Sequence, residues 1–314
     1  MAQSPIIEVA GLVKAYGEHR AVDDVTFSVA EGEVLAVLGP NGAGKTSTVE
    51  ILEGHRQATS GRVKVLGTDP ARAEPAFRDR IGIVLQETGI EPQLSVREAI
   101  SVYGSVYSKR RDTDELLELV GLVDESELRF RQLSGGQQRR LDLALGLVGD
   151  PDLLFLDEPT TGFDPAARRQ SWSLIEGLTG LGKTVLLTTH YLDEAQRLAD
   201  RVIVMSSGSI VAEGSPDQLL ARSSQLTRIS FTLPQGDGAV DDLFGGVDGE
   251  VRGRNGRVEI HTARPTADLA QVCGWAAERS IELGGLEVAR PSLEDVYLDL
   301  VGELGDDNDE PVVP

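Results

Sequence analysis

The chain has 314 residues, 40% of them hydrophobic and 26% charged, which is ordinary for a soluble globular protein and long enough for one large domain plus a small one. Its formal net charge of -21 argues against a nucleic-acid partner and against direct adhesion to anionic lipid, so any place at a membrane would have to come through protein contacts. No stretch approaches the roughly 18 consecutive apolar residues of a membrane-spanning helix. The opening residues lack a basic-then-apolar secretion signal, so the chain is expected neither to span a membrane nor to be secreted by itself. A single cysteine, Cys273, excludes an intrachain disulfide, and its apolar neighbours suggest a buried structural thiol.

In chain order, residues 6–14 (IIEVAGLVK) and 25–38 (VTFSVAEGEVLAVL) read as strands, the second broken by a Glu31-Gly32 turn. A helix is expected from Lys45 to about Gly54, then short strands at 62–66 and 81–85. Residues 95–145 carry apolar side chains at helical spacing and suggest a helical subdomain over about 90–150. There follow a strand at 153–156, a helix at 165–178, a strand at 184–190, a helix at 193–199 and a strand at 201–205. This alternation predicts an α/β domain over 5–222 with a largely parallel sheet. Beyond it the pattern reads strand (226–233), short helix (238–244), strand (248–253), Asn255-Gly256 turn, strand (257–263), helix (266–280) and strand (284–289). That βαββαβ order suits a small α+β, ferredoxin-like domain over 223–304. Its last element is an amphipathic helix, SLEDVYLDLVGEL, and the acidic tail 305–314 reads as disordered.

Gly39-Pro40-Asn41-Gly42-Ala43-Gly44-Lys45-Thr46, with Ser47 next, fits the phosphate-binding loop pattern GxxxxGK[ST]. Glycines let successive backbone N–H groups turn toward a phosphate, and the helix beginning near Lys45 adds its positive dipole end. Lys45 is placed to neutralise phosphate oxygens and the Thr46 hydroxyl to ligate Mg²⁺. The same pattern occurs a second time, at 177–184 (GLTGLGKT), but there it follows a helix and opens a strand. Without a helix N-terminus it reads as a connecting loop.

Leu153-Leu154-Phe155-Leu156-Asp157-Glu158 is an apolar strand ending in two acids, which would deliver Asp157 to a metal and leave Glu158 to polarise water. Leu133-Ser134-Gly135-Gly136-Gln137 then opens the helix QQRRLDLAL. This LSGGQ segment resembles the signature of the ATP-binding cassette (ABC) ATPases, and the other family motifs fall in order over roughly residues 5–220. The fold implied is a phosphate-loop ABC ATPase domain, with a RecA-like α/β core and a helical signature subdomain. By the same resemblance Tyr16 is the aromatic on which adenine stacks, and Gln86 is a glutamine that contacts Mg²⁺ beside Thr46 and Asp157. Asp164, in TTGFDP, joins the two active sites, and His190 contacts the γ-phosphate, with Glu158 as the general base.

The resemblance also implies a homodimer in which each ATP lies between one chain's phosphate loop and the partner's Ser134–Gln137. The tail segment Arg290-Pro291-Ser292-Leu293-Glu294-Asp295-Val296-Tyr297-Leu298-Asp299-Leu300-Val301-Gly302 resembles the daunorubicin/multidrug-resistance type of exporter ATPase. Members of that subgroup pair with a separate ABC-2 type permease at the cytoplasmic side of the cell membrane and export hydrophobic compounds. Long coiled coils of chromosome-organising members and the second cassette of translation factors are absent from the sequence. A soluble ABC ATPase acting in regulation or assembly stands as the alternative.

Overall fold

The computed structural model describes residues 5–72, 74–84, 89–222, 226–233, 250–254, 256–289 and Tyr297. The chain divides into two compact units, Met1–Pro216 and Asp217–Pro314.

The first unit is organised by β3 (Val34–Leu38), whose five residues are all buried. A continuous apolar run of this kind belongs to a strand covered on both faces. It lies inside a six-stranded sheet with β5 (Ile81–Val84), β6 (Leu153–Asp157), β7 (Thr184–Thr189), β8 (Arg201–Ser206) and β9 (Ser209–Gly214), in the order β5-β6-β7-β3-β8-β9. Every neighbouring pair is parallel except β8–β9. The carboxyl ends of β6, β7 and β3 therefore sit side by side, where open α/β sheets place their ligands. The edge strand β9 is not evident from the sequence. It turns back through Ser207 and Gly208, both at positive φ (48° and 83°), a two-residue turn that matches the twist of a hairpin.

A second, antiparallel sheet of order β2-β1-β4 comprises β1 (Ile7–Tyr16), β2 (His19–Val29) and β4 (Ser60–Val65). β2 begins ahead of the expected Val25, because Tyr16 pairs with His19 across a turn at Gly17, whose φ is 62°. His19 and Arg20 are exposed, so this end of the strand carries no apolar signature. One apolar core joins Ile7, Leu12, Val22 and Val29 to Leu35, Phe155, Leu186 and Ile203, with Val49 and Leu52 of α1 (Lys45–Leu52).

After α2 (Pro75–Arg78), the helical stretch comprises α3 (Val96–Gly104), α4 (Thr113–Leu119) and α5 (Gly135–Leu147). Each starts at a side-chain cap. Ser95 and Glu98 form a capping box on α3, Asp112 accepts from Asp114 and Glu115 on α4, and Ser134 and Gln137 form a second box on α5. Helices α6 (Pro165–Gly180) and α7 (Leu192–Leu198) complete this unit, and α8 (Pro216–Arg222), which the sequence pattern does not announce, begins at its last residue and continues into the second.

The second unit is built on β10 (Thr227–Thr232), β11 (Glu250–Arg254), β12 (Arg257–Thr262) and β13 (Gly284–Ala289) with α9 (Pro265–Glu278). The sheet order is β11-β12-β10-β13, antiparallel throughout, which is the ferredoxin-like order. β11 and β12 meet at Gly256, whose φ is 80°. Asn255, the helices expected at 238–244 and 292–304 (Tyr297 apart) and the tail 305–314 lie outside the described residues. Ile229, Phe231, Val258, Ile260, Val272 and Trp275 make the core.

The expectation for Cys273 is corrected: it is exposed. It follows Val272, which is fully buried, and one residue along a helix turns the side chain about 100° out of the apolar stripe. Among the described residues no helix is long and apolar enough to cross a membrane.

Candidate active site

The loop from Gly39 to Gly44 leaves β3 and enters α1 at Lys45. Two of its glycines answer to specific obstacles. A Cβ on Gly39 would stand 2.5 Å from the Met205 carbonyl oxygen, and one on Gly44, at φ 98°, would collide with the carbonyl of Ala21. Gly42, also at positive φ (84°), faces open space. Between them Pro40 and Asn41 are exposed and Ala43 is buried.

The Lys45 side chain folds back over this loop, donating to the carbonyls of Gly39 (2.6 Å) and Pro40 (3.1 Å). Burial holds its pKa below the ordinary lysine value, with Glu158 and Asp157 pulling the other way. A desolvated ammonium resting on neutral carbonyls gains by meeting an anion. Thr46, next along α1, is exposed. The Ser47 hydroxyl lies 3.2 Å from that of Tyr16, a residue 41% exposed. Lys14 and Arg56 stand 5.0 and 5.3 Å from that ring's centre, so the aromatic platform is flanked by cations.

Asp157 closes β6 and Glu158 follows it at φ 45°, a left-handed backbone rare outside glycine that costs on the order of 1–3 kcal/mol. Thr188 of β7 holds this turn. Its carbonyl and hydroxyl oxygens both accept from the Glu158 N–H at 3.1 Å, and its hydroxyl donates to Asp157 Oδ1 at 2.5 Å. Oε2 of Glu158 accepts from the Thr161 hydroxyl (3.0 Å) and lies 3.2 Å from His190 Nδ1. His190 in turn packs on Tyr191, and Arg168 of α6 lies 4.2 Å over the Tyr191 ring. The structure thus brings Glu158 and His190, 32 positions apart in sequence (190 − 158), into direct contact. Gln86 lies outside the described residues.

Ser134 and its neighbours stand elsewhere. They share a cavity of about 480 Å³ with Thr161, Phe163 and Asp164, and none of the loop residues 39–47 lines it. Ser134 Oγ accepts from the Gln137 N–H (3.3 Å), and Gln137 Oε1 accepts from the Ser134 N–H (2.8 Å). A Cβ on Gly135 would meet nothing within 4 Å, and one on Gly136 only Ala167 at 3.7 Å. Among the described residues nothing forbids side chains there, in contrast to Gly39 and Gly44. Asp164 caps α6 by accepting from the Ala167 N–H at 2.9 Å.

The second phosphate-loop pattern does none of this. α6 runs to Gly180, and β7 opens at Thr184. Lys183 is committed to Asp150 at 2.8 Å, which also takes Lys109 (2.5 Å) and Arg111 (3.1 Å). These three cations hold the Asp150 carboxyl well below the usual carboxylate range. Lys183→Ala is expected to leave affinity for a fluorescent ATP analogue unchanged and to lower the melting temperature by roughly 2–4 °C. Loss of nucleotide binding in this variant would overturn the assignment.

Glu53, one residue past α1, was not singled out by the sequence, and it is buried beside Glu50 and within the field of Asp157. Burial first, then these two acids, pushes its pKa up to about 8, and His55 Nδ1 lies 3.2 Å away. The folded state therefore binds a proton that the unfolded chain releases above its ordinary value of 4.5. Stability from this group is full below that value and declines as pH rises toward 8. Glu53→Gln is expected to raise the melting temperature by roughly 2–4 °C at pH 9 and to change it little at pH 5; equal shifts at both would exclude the mechanism.

Residues 22–161 match the family model of the ABC transporter, and 227–292 match that of the C-terminal domain of ABC transporter domain-containing protein-like chains. Daunorubicin resistance ATP-binding protein DrrA3 of Streptomyces coeruleorubidus is 40% identical over 95% of this chain and 96% of its own length. This chain is an ABC transporter ATP-binding protein. Nod factor export ATP-binding protein I of Bradyrhizobium diazoefficiens is 38% identical over 94% of this ABC protein and 96% of the relative. Among solved structures, the dimeric post-hydrolysis state of the cassette MJ0796 bound to ADP and Pi superposes with a TM-score of 0.60. It is 26% identical, over 67% of this chain and 98% of that one. CbiO1 from Clostridium perfringens, part of the ABC transporter complex cbiONQ, gives a TM-score of 0.63 at 28% identity, over 70% and 92%. The ABC protein is accordingly an ATP hydrolase whose reaction is coupled to transport.

Proposed function

We propose that this chain is the ATP-hydrolysing subunit of an ABC-2 type exporter, acting as a homodimer at the cytoplasmic face of the cell membrane on a separate permease. The exported compound is hydrophobic, drug-like or lipid-like in class. The observation that carries the reading is the near full-length likeness to a daunorubicin resistance protein and a Nod factor export protein, which extends through both units.

At the site, Tyr16 stacks the adenine while Gly39, Pro40, Asn41, Gly42, Ala43 and Gly44 wrap the phosphates. Lys45 exchanges its two carbonyls for phosphate oxygens as the anion arrives. Ser47 sits beside Tyr16 at the head of the same helix. Thr46 and Asp157 are hard oxygen donors suited to Mg²⁺, with Gln86 as a third. Held by these residues, Mg²⁺ would supply positive charge to the phosphate oxygens.

Glu158 takes the proton of the attacking water and His190, in contact with it, orients the γ-phosphate. The open space at Gly135 and Gly136 belongs to the partner's ATP, which would meet the free N–H groups of an α5 N-terminus. Asp164, on the same cavity, faces that junction. Hydrolysis removes the shared ligand and shifts the dimer toward its open state.

Co-expression with an adjacently encoded protein bearing about six apolar segments of spanning length tests the reading. Co-purification and stimulation of ATPase by one class of hydrophobic compound are expected. A chain that copurifies with no membrane protein and hydrolyses ATP at full rate alone would instead be a soluble regulatory ATPase.

A further inference from the structure

Arg139 lies five positions after Ser134 on α5, in the polar run Gln137-Gln138-Arg139-Arg140, yet it is only 6% exposed. Its guanidinium does not turn to solvent. Nε donates to the Pro159 carbonyl at 3.0 Å, while Nη2 donates to that of Asp157 at 3.1 Å and stands 3.5 Å from that of Glu158. Nη1 stands 3.6 Å from Asp142 on the same helix. One buried cation thus grips three consecutive carbonyls that bracket the strained Glu158 turn.

The far side of the same segment is fixed too. The Thr160 hydroxyl donates to Glu194 Oε1 of α7 at 2.8 Å, and Trp172 Nε1 of α6 donates to the same oxygen at 3.0 Å. Segment 157–160 is therefore clamped between α5 and the pair α6 and α7. Burying a guanidinium is costly unless its donors are satisfied in good geometry. Here most of that donor capacity is spent on backbone next to a catalytic carboxylate.

We propose that Arg139 is a positioning residue for hydrolysis, through which α5 sets the backbone that carries Asp157 and Glu158. The inference rests on the functional reading above, in which the N-terminus of α5 engages the partner's ATP. Under that reading one rigid helix links the two nucleotides of the dimer. Its first turn touches one, and five residues later it aims the general base at the other. A shift of α5 on nucleotide binding is handed directly to Glu158 without passing through a loop. A displacement of about 1 Å at a reacting group can cost about 100-fold in rate.

Removing the guanidinium alone would take from the buried Asp142 the cation that stands 3.6 Å away, so the test uses Arg139→Lys and the double variant Arg139→Met with Asp142→Asn. Steady-state ATPase gives kcat and KM, a fluorescent ATP analogue gives affinity, and gel filtration in the Glu158→Gln background gives ATP-dependent dimerisation. The double variant is expected to bind and dimerise as the parent does. Its kcat should fall about 100-fold with KM within about threefold, the pattern of an interaction lost in the transition state. Arg139→Lys, whose single ammonium reaches fewer carbonyls, should recover part of kcat. Parental kcat in both variants overturns the proposal, as does loss of nucleotide affinity in step with kcat. If the double variant does not fold, Arg139→Lys decides by the same split. Should the parent Glu158→Gln chain stay monomeric in Mg-ATP, the two-nucleotide reading fails on its own, and the kcat of the Arg139 variants still reports on positioning within one chain.

Discussion

Glu158→Gln is expected to cut ATP turnover by about 100-fold or more and to yield an ATP-bound dimer that survives gel filtration in excess Mg-ATP. The carboxamide keeps the size of the side chain. It can still accept from Thr161, whose hydroxyl reaches Oε2 in the native chain. The positive-φ turn and its bonds to Thr188 involve the main chain and are preserved. What disappears is the basic oxygen that, in the proposed mechanism, takes a proton from water. Because ATP is then bound and not consumed, the closed state accumulates. A variant that remains monomeric under those conditions would count against the dimeric mechanism, whatever its residual rate.

The second large effect concerns Ser134→Arg. An arginine at the head of α5 would project into the cavity shared with Asp164, which the proposed mechanism assigns to the partner's phosphate. The capping box with Gln137 is lost as well, at about 1 kcal/mol, so a modest drop in melting temperature accompanies the change. The phosphate loop lines no part of that cavity, so the monomer should bind nucleotide with native affinity. Turnover should fall to background and no dimer should form. Mixing this variant with Lys45→Ala offers a sharper reading. A mixed dimer contains one site built from the intact loop of one chain and the intact signature of the other, and activity should return in the mixture. Normal turnover by Ser134→Arg alone would remove the signature from the mechanism.

Much of this site can be read from residues because its chemistry demands particular types at the ends of particular elements. Gly39 and Gly44 are glycines because their own chain leaves no room for a Cβ, and that necessity shows in the motif. The second copy of the pattern, at Lys183, differs from the loop at Gly39–Thr46 in context alone, since a helix precedes it and a strand follows. What stays hidden is of two kinds. β9 and the first turn of β2 are edge segments with mixed burial, and their partners lie across hairpin turns marked only by Gly208 and Gly17. Arg139, Thr188 and Glu194 carry no motif at all. Their importance lies in contacts with main chain or with residues 18 or more positions away, and a linear pattern does not contain those. Cys273 failed differently, because apolar neighbours in sequence are not neighbours on a helix face.

That outward thiol on α9 has a practical consequence. It is the sole sulfhydryl in the polypeptide, so a maleimide-linked spin label will mark the second unit at one defined spot without any engineered residue. Two copies assembled about a symmetry axis then yield a single interspin distance. Its change between nucleotide-free and ATP-trapped samples reads out how far the appended α+β modules travel during a cycle.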